Sequence, residues 1–394
     1  MPILNRAAQL QDEVADWRHS LHAMPELDFD LHQTSAFVAA KLREFGCDEV
    51  ATGIARTGVV GLIRGNGATQ DGGSGATTIG LRADMDALAL TEITGAPYAS
   101  RTPGAMHACG HDGHTAMLLG AAQYLAETRN FSGTVAVIFQ PAEEGGGGGR
   151  VMVQEGIMDR FNIERVYGMH NMPGLPLGQF AIRPGPIMAA TAVFTIKIKG
   201  RGGHAAIPHN TIDPIVIGSQ LVQALQAIVS RNADPIDSLV VSVTKFHGGD
   251  AYNVIPEEVE IAGTVRTLRS EVADLAQKRI EALCAGIGAA HGATISLDFR
   301  TGYPVTVNDG EQASFAGAVA AEVVGAKSVD LDVAPLMGGE DFSYMLQARP
   351  GAFIFIGNGN SAGLHNPAYD FDDRVIPYGI SYWVRLVETA LLQR

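Results

Sequence analysis

The sequence predicts an α/β protein in which a mixed, largely parallel sheet is covered by helices and a smaller α+β domain is inserted into the chain. Three observations predict this class. Short β-type runs alternate with amphipathic helices on both sides of residues 186–299. The run VAVIFQ at 135–140 is continuously apolar, as in a central strand covered on both faces. Between 186 and 299 the order becomes β-α-β-β-α-β, the split βαβ plan of ferredoxin-like domains.

The elements before the insert follow from hydrophobic periodicity. Apolar residues at helical or strand spacing predict helices over 8–22, 33–45 and 114–128, and strands over 58–64, 77–83, 135–140 and 165–169. The second helix is expected to stop at Gly46. The segment GNGATQDGGSGA predicts a flexible, glycine-rich turn between the first two strands.

The insert and the segment after it also follow from periodicity. Alternation predicts strands over 191–199, 238–246, 257–267 and 294–299, and helices over 212–230 and 270–290. Beyond the insert we expect a helix over 311–324, a buried strand over 352–356 and a closing helix over 378–393. Chemically interesting polar residues cluster before 171 and after 337. We therefore expect residues 1–185 and 300–394 to form one discontinuous domain and 186–299 the inserted domain.

Composition excludes several classes of protein. Hydrophobic residues make up 46% of the 394 residues, enough to bury sizeable cores. The net charge of −14 argues against a nucleic-acid partner and an anionic membrane surface. The sequence has no apolar run near the ~18 residues of a spanning helix, and charges near its start argue against a signal peptide. Three widely spaced cysteines do not suggest disulfides, so we expect a cytoplasmic protein.

The motif MHACGHDGH at 106–114 carries the densest chemical signal. His107, Cys109, His111, Asp112 and His114 lie within it. Thiolate, imidazole and carboxylate groups bind borderline divalent metals, so the motif favours a metal site. His114 is expected to open the following helix and to cap or pack there. The motif alone also allows Cys109 to act as a nucleophile activated by a histidine.

Two glutamates follow the predicted central strand. Pro141 ends that strand, and Glu143 and Glu144 come next, at the edge where open α/β sheets place ligand sites. Because adjacent side chains diverge, one glutamate can bind a metal while the other acts as general base. The glycine tract after them lacks the lysine and hydroxyl residue of a phosphate-binding loop.

Further polar residues follow other predicted strands. His170 and His365 each lie at a predicted strand-to-loop junction before an asparagine and a proline. Asp84 and Asp86 lie at the end of the strand in GLRADMDAL, where carboxylates could orient a ligand. Salt-bridged or helix-capping roles fit the two aspartates equally well.

These motifs together carry a family resemblance. They are MPEL, ADMDAL, MHACGHDGH, QPAEEG, GMHN, GGHAAIPH, NVIP, GTVRT, GGEDFS and LHNP, in this order along almost the whole chain. The sequence resembles the di-metal aminoacylase/carboxypeptidase family. Within it, the chain looks like the branch of hippurate hydrolases, N-acyl-amino-acid amidohydrolases and auxin-conjugate hydrolases.

The resemblance implies a metal-dependent hydrolysis of the amide between an acyl group and an amino acid. It assigns Glu143 as general base, and it implies that two divalent ions are bound by Cys109, His111, Glu144, His170 and His365. Manganese, zinc, nickel and cobalt all suit these ligands. Where many relatives outside this branch have an H-x-D motif, this chain has Asp84-Met85-Asp86, so these aspartates are expected only to support the site.

The resemblance also assigns roles to the inserted domain. It implies that His204 helps to stabilise the tetrahedral intermediate, and that Asn253 and Arg266 hold the substrate carboxylate. A guanidinium fork is suited to that task. The inserted domain is expected to act as a lid and to form a homodimer or higher homo-oligomer.

Three alternatives stay open from the sequence. A dipeptidase or carboxypeptidase of the same family would differ only in the acyl side of its substrate. A cysteine-nucleophile hydrolase would leave Glu143, Glu144, His170 and His365 without a role. A non-catalytic metal-binding protein could also be built on the same fold.

Overall fold

The chain divides into two compact units in the computed structural model, which describes residues 3–67 and 77–392. The larger unit comprises Met1–Ile187, Val307–Ala334 and Asp341–Arg394, and the smaller unit comprises Met188–Thr306 and Pro335–Glu340. The sequence-based boundaries at 185 and 299 fall a few residues earlier. The segment Pro335–Glu340 was not assigned to the insert from the sequence. Most of the glycine-rich turn predicted after strand 58–64 lies outside the described residues.

The larger unit contains most of the helices and strands. In chain order they are α1 (Asn5–Gln9), α2 (Gln11–His22), α3 (His32–Glu44), β1 (Glu49–Ile54), β2 (Gly58–Arg64), β3 (Thr78–Asp84), α4 (His111–Thr128), β4 (Thr134–Gln140), α5 (Gly148–Gln154), α6 (Ile157–Arg160), β5 (Ile163–Met172), β6 (Phe180–Ala181), α9 (Gly310–Val324), β15 (Val329–Asp330), α10 (Ser343–Ala348), β16 (Gly351–Gly357) and α11 (Ile376–Ala390). Short strands β7 (Gly185–Met188) and β14 (Thr306–Asn308) lie where the chain passes between the units.

One sheet organises the described part of the larger unit. It has eight strands in the order β1-β2-β4-β3-β5-β16-β6-β15. Strand β3 pairs in parallel with β4 and β5, and β5 pairs in parallel with β16, whereas β1, β2 and β4 pair antiparallel. This arrangement confirms the predicted α/β class with a mixed sheet. Because β4, β3, β5 and β16 run the same way, their carboxyl ends share one edge of the sheet.

The central strands are buried throughout. Every residue of β3 and of β16 is buried, as expected for parallel strands covered on both faces. Helix α4 packs on this core and contacts α2 and α11 closely. Gly120 in α4 makes this approach possible, because a Cβ there would lie 2.5 Å from Cδ1 of Ile380 and 3.0 Å from Cγ2 of Val14.

The smaller unit has its own core. Its elements are β8 (Ala190–Lys199), β9 (Gly203–His204), α7 (Pro214–Ala227), a π-helical turn (Ile228–Asn232), β10 (Leu239–His247), β11 (Val254–Ile255), β12 (Glu258–Thr267), α8 (Ser270–His291) and β13 (Thr294–Thr301). Strands β10, β12, β8 and β13 form an antiparallel sheet in that order, and α7 and α8 contribute to the core beneath it. The long elements therefore follow one another as β-α-β-β-α-β.

Several predicted bounds differ from the structure. Helix α4 begins at His111, three residues before the predicted start, so His111 and not His114 opens it. Strand β5 continues to Met172, which places His170 inside the strand and not at its junction with a loop. Strand β1 was not predicted, because its sequence EVATGI lacks regular alternation.

Within residues 3–67 and 77–392, every helix is too short or too polar to cross a bilayer.

The close approach at Gly120 gives a stability prediction. Gly120→Ala should lower the free energy of unfolding by about 1–3 kcal/mol, because its methyl group would overlap Ile380 and Val14. Gly286→Ala in α8 is the matched control, since a Cβ there meets nothing within 4 Å. That substitution should raise stability by up to about 1 kcal/mol through helix propensity. Urea unfolding followed by circular dichroism measures both changes, and equal signs would contradict the packing argument.

Candidate metal centre

The carboxyl edge of the parallel strands gathers the polar residues. Asp84 is the last residue of β3, Glu143 and Glu144 follow β4, His170 lies near the end of β5, and His365 lies in the loop after β16. Open α/β sheets bind ligands at such an edge. The topology therefore brings together segments that are far apart in sequence.

Five side chains form a compact cluster at this edge. They and Glu143 form three overlapping groups, and within each group the ligand atoms lie within 4.8 Å of one another. The groups are Cys109, His111 and His170; Cys109, Glu144 and His365; and His111, Glu144 and Glu143. The Sγ of Cys109 lies 3.4 Å from Nε2 of His170, and Nε2 of His365 lies 3.3 Å from Oε1 of Glu144. The structure thus brings together all five candidate ligands named from the sequence, and Cys109, His111 and Glu144 each belong to two of these groups.

The donor set fits divalent cations. Nε2 of His111 is buried and has no hydrogen-bond partner among the described residues. A buried polar atom without a partner is costly, and a bound cation would satisfy this nitrogen. Nδ1 of His111 lies 2.9 Å from the carbonyl oxygen of Asp86. That contact holds the imidazole with Nε2 directed at the cluster, as in many metal-bound histidines.

Two of the candidate ligands are held in the deprotonated state that metal binding requires. Burial lowers the pKa of His170 well below its usual value, which keeps the imidazole neutral. Burial raises the pKa of Glu144, but the hydrogen bond from His365 and the charge of His111 outweigh it, so the net shift is downward. Burial also raises the pKa of the Cys109 thiol well above its usual value. A thiolate at Cys109 therefore needs a bound cation, which weakens the alternative of Cys109 as a free nucleophile.

The backbone around Cys109 is held in an unusual conformation. Gly110 has φ of 86°, and a Cβ there would lie 2.3 Å from Nδ2 of Asn171 and 2.4 Å from Oη of Tyr369. Nδ2 of Asn171 donates to the Cys109 carbonyl at 2.6 Å. Only glycine satisfies both demands, so the turn between the two ligands Cys109 and His111 requires it.

Two non-glycine residues beside the ligands also have positive φ. Ala142, before Glu143, has φ of 56°, and His365 has φ of 61°. The His365 N–H donates to the Ala108 carbonyl at 2.7 Å, which ties the His365 loop to the Cys109 loop. Such conformations are sparsely populated and cluster at functional sites, where surrounding contacts enforce them.

Glu143 lies beside the ligands and is held by its neighbours. It is buried, and its N–H donates to Oδ1 of Asp86 at 2.9 Å. The N–H of Glu144 donates to Oδ2 of the same aspartate at 3.0 Å. Each oxygen of the Asp86 carboxylate thus holds one glutamate of the loop. The sequence suggested a supporting role for Asp86, and these contacts define it.

Asp84 supports the ligands from below the site. Its Oδ1 pairs with Nδ1 of His114 at 2.6 Å, and its Oδ2 accepts from Nη1 of Arg82 at 2.8 Å. Nε2 of His114 accepts from the N–H of Asn171 at 2.9 Å. Both nitrogens of His114 are therefore occupied, and His114 is packed in the helix. Sequence reasoning missed Arg82, although a charged residue inside an otherwise apolar strand was a visible signal.

Asp112, a candidate from the same motif, belongs to a buried ion-pair cluster. Its Oδ2 lies 2.9 Å from Nε of Arg18 and 2.8 Å from Nδ1 of His22. Arg18 also pairs with Asp370 at 2.6 Å, in the segment that follows His365. His107 is fully buried nearby, and burial lowers its pKa to about 3. Neither His107 nor Asp112 occurs in a candidate ligand group with Cys109.

The smaller unit brings His204 and Asn253 together. His204 on β9 pairs with Val254 on β11, and the Ala205 N–H donates to the Asn253 carbonyl at 3.0 Å. The His204 side chain is exposed, and its Nδ1 accepts from the Ala206 N–H at 3.0 Å. In the neutral ring, Nε2 then carries the proton and can donate it to a ligand.

Arg266 lies apart from this pair. On β12, Glu258 pairs with Lys199 and Arg266 pairs with Thr191. The two-stranded sheet of β9 and β11, which holds His204, adjoins the Glu258 end of β12 in the chain, so Arg266 lies toward the opposite end of that strand. At ~3.4 Å per residue, eight residues along an extended strand span roughly 27 Å. Nε of Arg266 donates to Oγ1 of Thr264 at 3.1 Å, and burial lowers the pKa of the half-buried guanidinium. Within one smaller unit, Arg266 and His204 therefore cannot contact one small molecule.

Comparison with known proteins identifies close relatives. Residues 80–389 match the sequence profile described as peptidase family M20/M25/M40. The chain is 42% identical over 386 residues to the hippurate hydrolase of Campylobacter jejuni, with 98% of each protein covered. It is 40% identical over 397 residues to the IAA-amino acid hydrolase ILR1-like 4 of Arabidopsis thaliana, covering 97% of this chain and 88% of that protein.

A solved structure matches over a similar length. It is a dinuclear metal-binding peptidase of the M20 family from Bacillus subtilis. The TM-score is 0.83 at 33% sequence identity, and the match covers 98% of this chain and 100% of that chain. The fold described above is therefore shared with a protein that binds two metal ions.

The contacts of Asp86 predict its effect on metal binding. In Asp86→Asn, one amide N–H of the glutamate loop would face the new NH2 group and lose its acceptor. We expect metal affinity to fall about 10–100-fold, as for other residues that orient metal ligands. Competition between the purified protein and a zinc chelator measures this affinity. Asp48→Asn, which alters a carboxylate that also accepts a backbone N–H, is the control; equal affinities for the two variants would contradict the assignment.

Proposed function

Because the chain belongs to peptidase family M20/M25/M40 and is a metal-dependent amidohydrolase, we propose that it hydrolyses the amide bond of N-acyl-amino acids. The products are a carboxylic acid and a free amino acid. Two relatives, 42% and 40% identical to this chain, are named for hippurate and for IAA-amino acid. Each name describes an acyl group joined to an amino acid. The observation that carries the proposal is the cluster of five candidate ligands, three of them buried, with Glu143 beside it.

We propose that Cys109, His111, Glu144, His170 and His365 would hold two divalent ions. Support comes from three ligand groups that overlap at Cys109, His111 and Glu144. Manganese, zinc, nickel and cobalt are the candidate metals, since thiolate suits the softer ions and the other ligands accept manganese as well. When bound, such ions supply Lewis acidity, which acidifies water and polarises a carbonyl group.

Glu143 is the proposed general base. It takes a proton from the attacking water and returns it to the leaving nitrogen of the amide. Its carboxylate lies within 4.8 Å of ligand atoms of His111 and Glu144, close enough to reach a water held at the same site. The contact with Asp86 holds the Glu143 backbone in place beside the candidate ligands.

The smaller unit is the proposed lid and dimerisation domain, with roles for three of its residues. His204 stabilises the tetrahedral intermediate through its Nε2 N–H, and Asn253 and Arg266 bind the substrate carboxylate. Arg266 and the pair of His204 and Asn253 are too far apart to serve one substrate within a single unit. We therefore propose a homodimer in which His204 and Asn253 act on the active site of the neighbouring chain.

The cellular setting is proposed from composition. Cys47, Cys109 and Cys284 are all free thiols, as expected in a reducing compartment. We propose a cytoplasmic enzyme whose partners are small N-acyl-amino acids and a second copy of its own chain.

Metal removal tests the proposed function. The purified protein is assayed on a panel of N-benzoyl-, N-acetyl- and N-indole-acetyl-amino acids before and after dialysis against a chelator. Activity should fall to background and return with manganese, zinc, nickel or cobalt. Glu143→Ala should retain metal but lose activity by several orders of magnitude, because it removes the proton acceptor. Activity that survives chelation would instead support a cysteine nucleophile.

Subunit mixing tests whether His204 acts in the neighbouring chain. Glu143→Ala and His204→Ala are each nearly inactive alone, and their mixed dimer contains one intact site if His204 acts across the interface. After dissociation and reassociation, activity should recover to about a quarter of the wild-type value, since half of the dimers are mixed. If both residues act within one chain, the mixture stays as inactive as its components.

A further inference from the structure

Arg82 carries a fully buried guanidinium whose contacts the proposed chemistry does not use. Nε donates to Oε1 of Gln140 at 2.9 Å, Nη1 to Oδ2 of Asp84 at 2.8 Å, and Nη2 to Oδ1 of Asp341 at 2.9 Å. The Cζ atom of Arg82 lies 5.7 Å from the centroid of the Phe342 ring. All these groups belong to the larger unit and lie beneath the metal ligands. A planar guanidinium can hold three acceptors at fixed angles, which an ammonium group cannot.

Asp341 connects Arg82 to the loop that carries the glutamates. Its carboxylate accepts from Nε2 of Gln140 at 2.8 and 2.9 Å, and from the N–H of Gly149 at 2.8 Å. Gln140 ends β4 before the loop at 141–147, and Gly149 lies in the first turn of α5 directly after it. One carboxylate therefore clamps both ends of the loop, and Arg82 fixes that carboxylate in place.

The same aspartate also contacts the proposed base directly. The backbone N–H of Asp341 donates to Oε1 of Glu143 at 3.4 Å. Asp86 holds the Glu143 backbone, whereas Asp341 holds its side-chain oxygen. Residue 341 thus contacts the Glu143 carboxylate through its N–H and Arg82 through its own carboxylate.

We propose that Arg82 and Asp341 are positioning residues that orient the Glu143 carboxylate for proton transfer. The proposal rests on the proposed function for the role of Glu143, but the geometry is independent of it. A base must lie within hydrogen-bond reach of the proton that it accepts, so a small displacement of Glu143 lowers turnover more than it changes substrate or metal binding. The four proposed metal ligands other than Glu144 lie on segments that Asp341 does not clamp.

Two variants test the proposal. In Asp341→Asn, one acceptor oxygen becomes an NH2 group facing an N–H donor, so the clamp cannot be fully satisfied. In Arg82→Lys, the charge is retained but one nitrogen cannot span three acceptors. Each variant should lower kcat at least about tenfold, while KM stays within about threefold and the metal content per chain is unchanged. Wild-type kcat in both variants would overturn the proposal.

Tyr167→Phe is the control for general destabilisation. It removes a buried hydrogen bond of 2.6 Å from Tyr167 to Gln312 in the same unit, without touching the glutamate loop. Its kcat should stay within about twofold of wild type when rates are corrected for the folded fraction. If the kcat of this control falls as far as that of Asp341→Asn, Arg82 and Asp341 are only structural and the positioning role is wrong.

A double-mutant cycle shows whether Asp341 acts through Glu143. Glu143→Asp shortens the base by one methylene and removes the contact with the N–H of residue 341. In that background Asp341→Asn should lower kcat less than about threefold, because the residue that it positions is already displaced. The full loss of at least about tenfold in both backgrounds would contradict the proposal.

A crystal structure of Asp341→Asn separates this proposal from the proposed function. We expect Glu143 Oε1 to leave its contact with the N–H of residue 341, with the metal ligands in place. If the wild-type protein hydrolyses no N-acyl-amino acid, the proposed function fails, and the orientation of Glu143 is then judged from this structure alone. An unmoved Glu143 in the variant overturns the positioning role whatever the substrate.

Discussion

Arg82 donates to Asp84 at 2.8 Å and to Asp341 at 2.9 Å, inside a strand whose residues are all buried. A lone buried charge is very costly, so each member of this group depends on the others. Through Asp84 the group reaches His114 and the segment that carries His170, and through Asp341 it reaches the glutamate loop. Much of the architecture beneath the metal centre therefore depends on one guanidinium.

Above this group, the candidate ligands lie on β5 or on segments that follow β3, β4 and β16, and these four parallel strands end at one edge. The edge explains why residues as distant in sequence as Cys109 and His365 meet, and why the backbone is unusual there. Gly110, Ala142 and His365 all have positive φ. Their contacts with Asn171, Gly148 and Ala108 show that tertiary packing holds these conformations. The proposed hydrolysis needs such preorganisation, because a general base acts only over hydrogen-bond distances.

Long, periodic elements were predictable, and irregular ones were not. The apolar run of β4 and the alternation of β8 and β12 matched the structure within a few residues, because burial on one or two faces imposes a pattern. Strand β1 lacks that pattern and was missed. The early start of α4 was missed because it depends on the glycine turn at Gly110 and on contacts with Asn171, which no local signal encodes.

The sequence by itself determined the fold class, because hydrophobic periodicity is local, and its motifs carried the family resemblance that implied the five candidate ligands and Glu143. The tertiary structure decided which residues support them. Asp86 accepts hydrogen bonds from the N–H groups of both glutamates, and Asp341 clamps the ends of their loop. These contacts depend on distances between segments that are far apart in the chain. It also separated Arg266 from His204, because the register of β12 against β8 is set by the whole sheet. Local patterns carry the identity of the chemistry, whereas only three-dimensional contacts fix its geometry.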